Sequence, residues 1–341
     1  MKQEWIIGEQ EIKNCLTKIA GKKIAFVDEN VFKKSKNILD DYCFELFYII
    51  PSGEESKSWE TVQNMIAFLL KNEIDKNDFI FGIGGGVTTD LTGFTASIYK
   101  RGIRFALIPT TILAMVDASI GGKNGINTIY AKNMVGTIAF PEYIAWDFRF
   151  LKTLQKKEWK NGFAEIIKHG FLFSESLIDT LIQKDIFYYE DNLIDLQNII
   201  LQAAKLKQNI VEIDPFEQDL RKKLNFGHTL GHAFEKYENI DHGHAVIKGM
   251  YWELKFQEKN SLITNESSKI LVVYQKLHEK YYPIDLDFVG EDALIAYLKL
   301  DKKRNKDNIT LTTILEPGNS KMENISINKL IDFIYENANR T

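Results

Sequence analysis

Five of the chain's six histidines fall in three short stretches: Glu165-Ile166-Ile167-Lys168-His169, Asn225-Phe226-Gly227-His228-Thr229-Leu230-Gly231-His232, and His242-Gly243-His244. Imidazole titrates near neutrality, and its neutral nitrogen suits borderline divalent metals. His228 and His232 are four residues apart, so on a helix they share a face. Both can ligate one ion, or one can ligate while the other meets a substrate. Glu165 adds a hard oxygen from a separate helix, with Lys168 one turn further along the same face. Two imidazoles and one carboxylate leave coordination positions open for water or a substrate hydroxyl, as catalytic zinc requires. His242, just before Gly243, sits where a loop can turn its ring inward. Any one of these histidines is more simply a hydrogen-bonded core group or a solvent-facing one. Four of them within residues 228–244 favour a metal-dependent enzyme.

A second chemistry is written in glycines. Gly84-Gly85-Gly86-Val87-Thr88-Thr89-Asp90 lies between an expected strand and an expected helix. Glycines there let backbone N–H groups approach an anion, and the helix N-terminus adds a favourable dipole, so a pyrophosphate fits. The run is not the GxGxxG fingerprint, and a triple glycine alone is equally a tight packing turn. Other strand ends add to it. Asp28 and Gly53-Glu54-Glu55-Ser56-Lys57 offer acids for ribose or nicotinamide-side hydrogen bonds, and Thr110 and Thr111 offer hydroxyls. The small-residue segment Val116 to Asn127, followed by Lys132-Asn133, carries Lys123 and Lys132, and Arg101 follows Tyr99-Lys100. Each cation alone reads as a solvated surface group, but their place beside glycine-rich strand ends makes them candidate anion contacts. A pyridine dinucleotide accepts hydride from an alcohol carbon, and a metal on that alcohol favours its alkoxide. The surrounding cations imply a polyhydroxylated substrate bearing phosphate, carboxylate or both.

These groups need a scaffold. Lys23–Val27, Phe44–Ile50, Phe79–Ile83 and Phe105–Ile108 read as strands, separated by helical stretches such as 58–72 with Trp59, Val62, Met65, Ile66 and Leu69 at helical spacing. This rhythm predicts an α/β N-terminal domain with a Rossmann-like parallel sheet over residues 1–150, with ligands at the carboxyl ends of its strands. Beyond Ile144-Ala145-Trp146-Asp147, long helical periodicities dominate, over 163–173, 193–211, 230–237 and 245–256. They predict a mostly α-helical C-terminal domain, 151–341, with Ile309–Leu315 as a late strand or edge hairpin. A length of 341 residues suits two cores. The net charge of −4, with scattered lysines, argues against nucleic acid. No window approaches the roughly 18 apolar residues that span a bilayer. The N-terminus is a poor signal peptide, and Cys15 and Cys43 form no metal spacing, which fits a reducing cytoplasm.

Taken together, the chain resembles 3-dehydroquinate synthase, a member of the sugar-phosphate cyclases, over nearly its whole length. The resemblance rests on GGGVTTDLTGF at 84–94, YKRGIRF at 99–105, PTTILAMVDASIGGKNGIN at 109–127, KNMVG at 132–136, GFAEIIKHG at 162–170, LRKKLNFGHTLGHAFE at 220–235 and HG at 242–243. It implies Glu165, His228 and His242 as ligands to zinc, or to cobalt in some members, with His232 beside the substrate phosphate. Lys123, Asn225, Lys302 or Lys303, and Arg101 from the neighbouring subunit of a homodimer would complete that anion pocket. Arg221 matches the carboxylate-binding arginine, with Asn133 as a helper, while Asp117, Lys168 and Lys207 would orient hydroxyls or move protons. Asp28, Glu54, Lys57, Gly85, Gly86, Asp90, Thr110, Thr111 and Thr153 match parts of an NAD site, with Lys123 and Lys132 beside them.

The activity implied by this resemblance is redox-neutral. NAD would take hydride from C5 of 3-deoxy-D-arabino-heptulosonate 7-phosphate, acidifying C6 so that phosphate leaves by β-elimination, with the substrate phosphate itself as base. Return of the hydride, ring opening and an intramolecular aldol step would give 3-dehydroquinate. Four positions depart from the family pattern: His244 stands where glutamate is common, Asp219 and Ala131 where glycine is, and Gln155 where proline is. None removes an implied ligand. Another sugar-phosphate cyclase, a metal-dependent polyol dehydrogenase and a non-catalytic ligand sensor remain as alternatives.

Overall fold

The computed structural model describes residues 3–260, 262, 267–287, 291–300, 304–305 and 308–338. They form two compact units: Met1–Trp159 with Lys207–Phe216, and Lys160–Leu206 with Glu217–Thr341. The first unit thus reaches Trp159, beyond the expected edge near 150, and takes in a later segment.

In the first unit, β1 (Glu4–Ile7), β2 (Lys23–Asp28), β3 (Leu46–Ile50), β4 (Phe79–Gly84) and β5 (Arg104–Pro109) belong to a six-stranded sheet. The strands β6 (Lys123–Ile126) and β7 (Val135–Ile138) form a separate antiparallel hairpin, and β8 (Tyr143–Trp146) completes the large sheet. The sheet order is β1-β8-β5-β4-β2-β3, and every pairing in it is parallel. Burial explains why the central strands are apolar runs rather than alternations: β4 is buried throughout, with one core on each face of the sheet. Helices α1 (Glu9–Lys18), α2 (Glu29–Lys34), α3 (Lys36–Asp40), α4 (Trp59–Lys71) and α5 (Gly86–Ile98) connect the strands. In α4, Ser58 caps the Thr61 N–H, and Val62, Met65 and Leu69 are buried at helical spacing. The chain steps from β2 outward to β3 and returns to the other side of β2 as β4, so the order reverses between β2 and β4. Such a switch point is where parallel sheets open a crevice at their carboxyl ends. Asp28 ends β2, and Gly84 ends β4.

In the second unit, α6 (Lys156–Phe173), α7 (Glu175–Gln183), α8 (Ile186–Asp191), α9 (Leu193–Ile213), α10 (His228–Tyr237), α11 (His242–Lys259), α12 (Ser267–Tyr281), α13 (Glu291–Leu300) and α14 (Ile327–Ala338) dominate. The first residues of α6, through Trp159, and the last residues of α9, from Lys207, belong to the first unit. The late apolar run is a strand, β10 (Asn308–Glu316), between the two-residue β9 (Arg304–Asn305) and β11 (Asn319–Ser326), all antiparallel. Its buried residues Ile309 and Leu311 pack with Leu230, Phe234 and Phe256 of α10 and α11. Among the described residues, no helix is long and apolar enough to cross a membrane.

The α10–α11 contact sets up the histidines. A Cβ on Gly249 would collide with the Gly227 carbonyl oxygen, and one on Gly231 would lie 2.8 Å from the Ala245 carbonyl oxygen. Glycine at these points lets two helix backbones touch. His242 does not lie in a loop, as expected from its neighbour Gly243, but opens α11 behind the N-cap residue Asp241. The Gly243 N–H donates to Asn161 Oδ1 at 3.0 Å, and a Cβ there would strike the Asn161 backbone, so the glycine serves a close helix approach rather than a turn.

Candidate active site

In the second unit, Glu165 from α6, His228 from the start of α10 and His242 from the start of α11 each present one ligand atom, all within 4.8 Å of one another. Glu165 is fully buried, and its Oε1 lies 3.5 Å from His228 Nε2 and 3.3 Å from His242 Nε2. Its other oxygen, Oε2, lies 2.5 Å from the Lys168 Nζ, one turn along α6. A carboxylate with no access to water is costly unless paired. Burial opposes the charge on Glu165, but Lys168, then His242 and His228, outweigh it and hold its pKa well below the usual carboxylate range.

The two imidazoles differ. Burial, followed by the charge of Lys168, pushes the His228 pKa well below its ordinary value, so its ring is neutral. Its Nδ1 lies 3.2 Å from the Phe226 carbonyl oxygen; donation there leaves the Nε2 lone pair toward Glu165. Burial also opposes a charge on His242, yet hydrogen bonds with Glu165 and Glu235 prevail and hold its pKa up at about 9. Glu235 Oε2 stands 3.5 Å from His242 Nδ1. An anionic carboxylate, a neutral imidazole and a second imidazole flanked by carboxylates make a set that calls for a cation, and the residues fit a divalent ion. His232 packs edge-on against His228, with ring centroids 5.1 Å apart, and is not in the ligand trio.

Around this trio, Lys168 Nζ donates to the Leu224 carbonyl at 3.0 Å. Arg221 is 2% exposed in the short helical turn Leu220–Asn225, and Asn225 Nδ2 donates to Glu217 Oε1 and to the Lys222 carbonyl. Lys302 and Lys303 lie outside the described residues. Two further residues, Glu235 and Asn161, support the trio without belonging to the implied ligand set. Glu235 sits seven residues after His228, on the stripe shared with His232, and that spacing was the available signal. Asn161 acts through a tertiary contact that spacing does not reveal.

In the first unit, Gly85 caps the N-terminus of α5, and the glycine run has two jobs. A Cβ on Gly84 would meet the Thr88 side chain, so Gly84 serves packing, whereas one on Gly86 would find only Ala118 Cβ at 3.4 Å. A Cβ on Gly85 would press on Thr111 Cγ2 at 3.2 Å, so it is at Gly86 that the helix start is left open. Thr110 is buried with its N–H on the Gly84 carbonyl, and Thr111 Oγ1 accepts from the Ala114 N–H. Asp28 caps α2 and accepts from Ser52 Oγ. Lys57 Nζ joins Asp90 Oδ2 and Asn133 Oδ1, each at 2.5 Å, while Glu54 Oε1 accepts from Asn127 Nδ2 at 2.7 Å. Burial pushes the Asp90 carboxyl up to about 6 against the pull of Lys57. Asp117, in the π-helical turn Ala114–Ala118, holds the buried Lys207 Nζ at 2.6 Å. Thr153 Oγ1 donates to the Phe150 carbonyl and lies 3.2 Å from Ser35 Oγ. Lys123 and Lys132 are exposed, as is Arg101, which has φ 65° between left-handed Lys100 and Gly102.

The family model described as 3-dehydroquinate synthase N-terminal matches residues 47–161, and that described as 3-dehydroquinate synthase C-terminal matches residues 162–304. The chain belongs to the 3-dehydroquinate synthase family. A 3-dehydroquinate synthase of Streptococcus pneumoniae is 37% identical over 307 residues, 89% of this chain and 85% of that protein. A bifunctional 3-dehydroquinate synthase/phosphatase of Fusobacterium nucleatum is 34% identical over 94% of this chain, which spans only 49% of that longer protein. A crystal structure of 2-deoxy-scyllo-inosose synthase, complexed with carbaglucose-6-phosphate, NAD+ and Co2+, superposes with a TM-score of 0.82 at 23% identity, covering 98% of this chain and 96% of that one. At that identity the likeness establishes the fold.

Proposed function

We propose that the chain is a 3-dehydroquinate synthase, converting 3-deoxy-D-arabino-heptulosonate 7-phosphate to 3-dehydroquinate and phosphate with no net oxidation. The observation that carries this reading is the convergence of Glu165, His228 and His242 in a chain whose two parts match both domains of the family. When bound, NAD would take up and return a hydride, and zinc or cobalt on Glu165, His228 and His242 would polarise the alcohol it leaves. The chain's own residues do the rest. Lys168 keeps Glu165 ionised, so its carboxylate stays available as a ligand without giving up a proton first. Arg221 pairs with the substrate carboxylate, with Asn133 as helper. His232, Asn225, Lys123 and one of Lys302 and Lys303 hold the phosphate. Asp117 and Lys207 orient hydroxyls, and their 2.6 Å pairing lets a proton be held or passed at one point. Holding every intermediate in one orientation is where the rate gain resides.

Gly85, Gly86, Asp28, Glu54, Lys57, Asp90, Thr110, Thr111, Lys132 and Thr153 form the proposed dinucleotide site. Its support is the strand order, which reverses beside Asp28 and Gly84, and the helix start that Gly86 leaves clear. Arg101, exposed on a left-handed turn, is proposed to reach the anion pocket of a second copy in a homodimer. The two cysteines are free, which suits the reducing cytoplasm where we place the enzyme.

Purified protein incubated with the heptulosonate phosphate, NAD+ and zinc should release phosphate and the cyclic product one for one, with no accumulation of NADH. Steady NADH formation would mark a polyol dehydrogenase instead. Neither phosphate nor product across metals and pH would reject the assignment. Arg221→Ala should lower kcat/KM on the order of a hundredfold, the scale of a lost charge-assisted contact; an unchanged value removes Arg221 from carboxylate recognition.

A further inference from the structure

Glu253 lies in the middle of α11, away from every motif that carries the family resemblance, and its side chain is completely buried. A buried carboxyl is expensive to keep, and its contact shows what it does. Glu253 Oε2 accepts a hydrogen bond from the Gly227 N–H at 3.0 Å. Phe226 (φ −53°, ψ 129°) and Gly227 (φ 75°, ψ −13°) have the angles of the two central residues of a type II turn. The peptide group between them presents its N–H to Glu253 and its carbonyl oxygen to His228 Nδ1, 3.2 Å away. One peptide plane is therefore gripped from both ends. If that plane flipped, as in a type I turn, the carbonyl would leave the His228 ring and the N–H would leave Glu253.

We propose that Glu253 is a positioning residue for the ion-binding face of His228, acting through the Phe226–Gly227 peptide group. By accepting from the N–H it fixes the plane and strengthens the carbonyl as an acceptor, because hydrogen bonds in series polarise one another. The carbonyl then holds the proton on His228 Nδ1 and leaves Nε2 as the donor to an ion. Gly227 is required here because its left-handed φ is what turns its N–H toward α11, and a Cβ would strike Met250 and approach the Val246 carbonyl.

The inference rests on the reading of Glu165, His228 and His242 as ion ligands, and one experiment separates the two. Zinc affinity is measured by chelator competition, and the d–d absorption of the cobalt-loaded protein reports the ligand geometry, for the unmodified protein, Glu253→Leu and Glu253→Gln. Unmodified protein that binds neither ion overturns the ligand reading itself. If it binds, Glu253→Leu should weaken zinc about ten- to a hundredfold and alter the cobalt spectrum, the usual effect of losing a partner behind a ligand. Glu253→Gln, which keeps an acceptor oxygen, should restore both to within about threefold, whereas a merely structural loss would lower thermal stability and leave the spectrum of the folded fraction unchanged. A folded leucine variant with unchanged affinity and spectrum overturns the proposal. So does a glutamine variant as impaired as leucine, since charge rather than the hydrogen bond would then be responsible. Should Glu253→Leu fail to fold, Glu253→Asp, which withdraws the carboxyl by one methylene, is read by the same criteria.

Discussion

Glu165, His228 and His242 in the helical unit are side chains from three different helices, whereas the residues proposed for the dinucleotide, Gly85, Gly86, Thr110 and Thr111, are small groups close to the backbone at the ends of two neighbouring strands of the α/β unit. The first arrangement needs helices to meet at one distance, because ligand atoms within 4.8 Å of each other tolerate little drift. The second needs strand order and small residues, and the sheet supplies the geometry as soon as it forms. A side-chain site is therefore sensitive to packing around it, while a backbone site is sensitive to what is hung on the backbone. Substitutions in the two units should separate these sensitivities.

The largest effect is expected at the trio. His228→Ala removes one of three donors, and product formation should fall on the order of a thousandfold or more, with loss of bound metal by elemental analysis. Thr111→Val, its counterpart in the α/β unit, deletes one hydroxyl and should weaken NAD+ by roughly tenfold, the scale of one hydrogen bond. Equal losses in the two variants would break the distinction.

The same distinction governs how much the sequence revealed. The strands β2, β4 and β5 were legible because burial on both faces makes each a continuous apolar run. The four-residue strands β1, β6, β7 and β8 are too short to display a period. The helices carrying Glu165 and His228 announced themselves by spacing, but the start of α11 did not, since Gly243 looks like a breaker while serving a close helix contact. The return of Lys207–Phe216 to the first unit was also hidden, because the apolar period of α9 runs on unbroken across Lys207. Asn161 escaped because its role exists only once α6 and α11 are assembled, whereas Glu235 shares the helical stripe of His228 and His232.

Glycine substitutions give a finer test, of intermediate size. A Cβ on Gly249 would meet the Gly227 carbonyl oxygen and the Gly231 nitrogen, both backbone atoms that cannot step aside. Gly249→Ala should cost about 2–3 kcal/mol in urea unfolding, in the range of overpacked cores, and metal affinity should fall with it. Gly86→Ala adds a methyl at ordinary contact distance from Ala118, so unfolding should change by no more than about 0.5 kcal/mol. Titration with NAD+ should nevertheless show weaker binding, because in the proposed site the methyl would stand where a phosphate approaches the helix start. A destabilised Gly86→Ala protein would mean that this glycine is there for packing, like Gly84.

A last contrast concerns two acids, the fully buried Glu165 and the partly buried Asp90, shifted in opposite directions. Glu165 is held well below the usual carboxylate range, since its cationic neighbours overcome burial, but Asp90 is raised to about 6, since burial overcomes Lys57. An unfolded aspartate titrates near 3.9, so between about pH 4 and pH 6 the folded protein holds a proton at Asp90 that the unfolded chain has released. Folding stability from this group is therefore present at low pH and declines as pH rises through 6, by at most about 3 kcal/mol. Asp90→Asn cannot titrate and should lack that slope. The unfolding free energy of the unmodified protein minus that of the variant should thus fall between pH 4 and pH 7.5, as measured by denaturant titrations at each pH. The subtraction cancels pH-independent effects of the lost Lys57 pairing, which is why the slope and not the offset decides. A difference that instead rises with pH would show that the 2.5 Å contact with Lys57 outweighs burial, making Asp90 an acid of the same kind as Glu165.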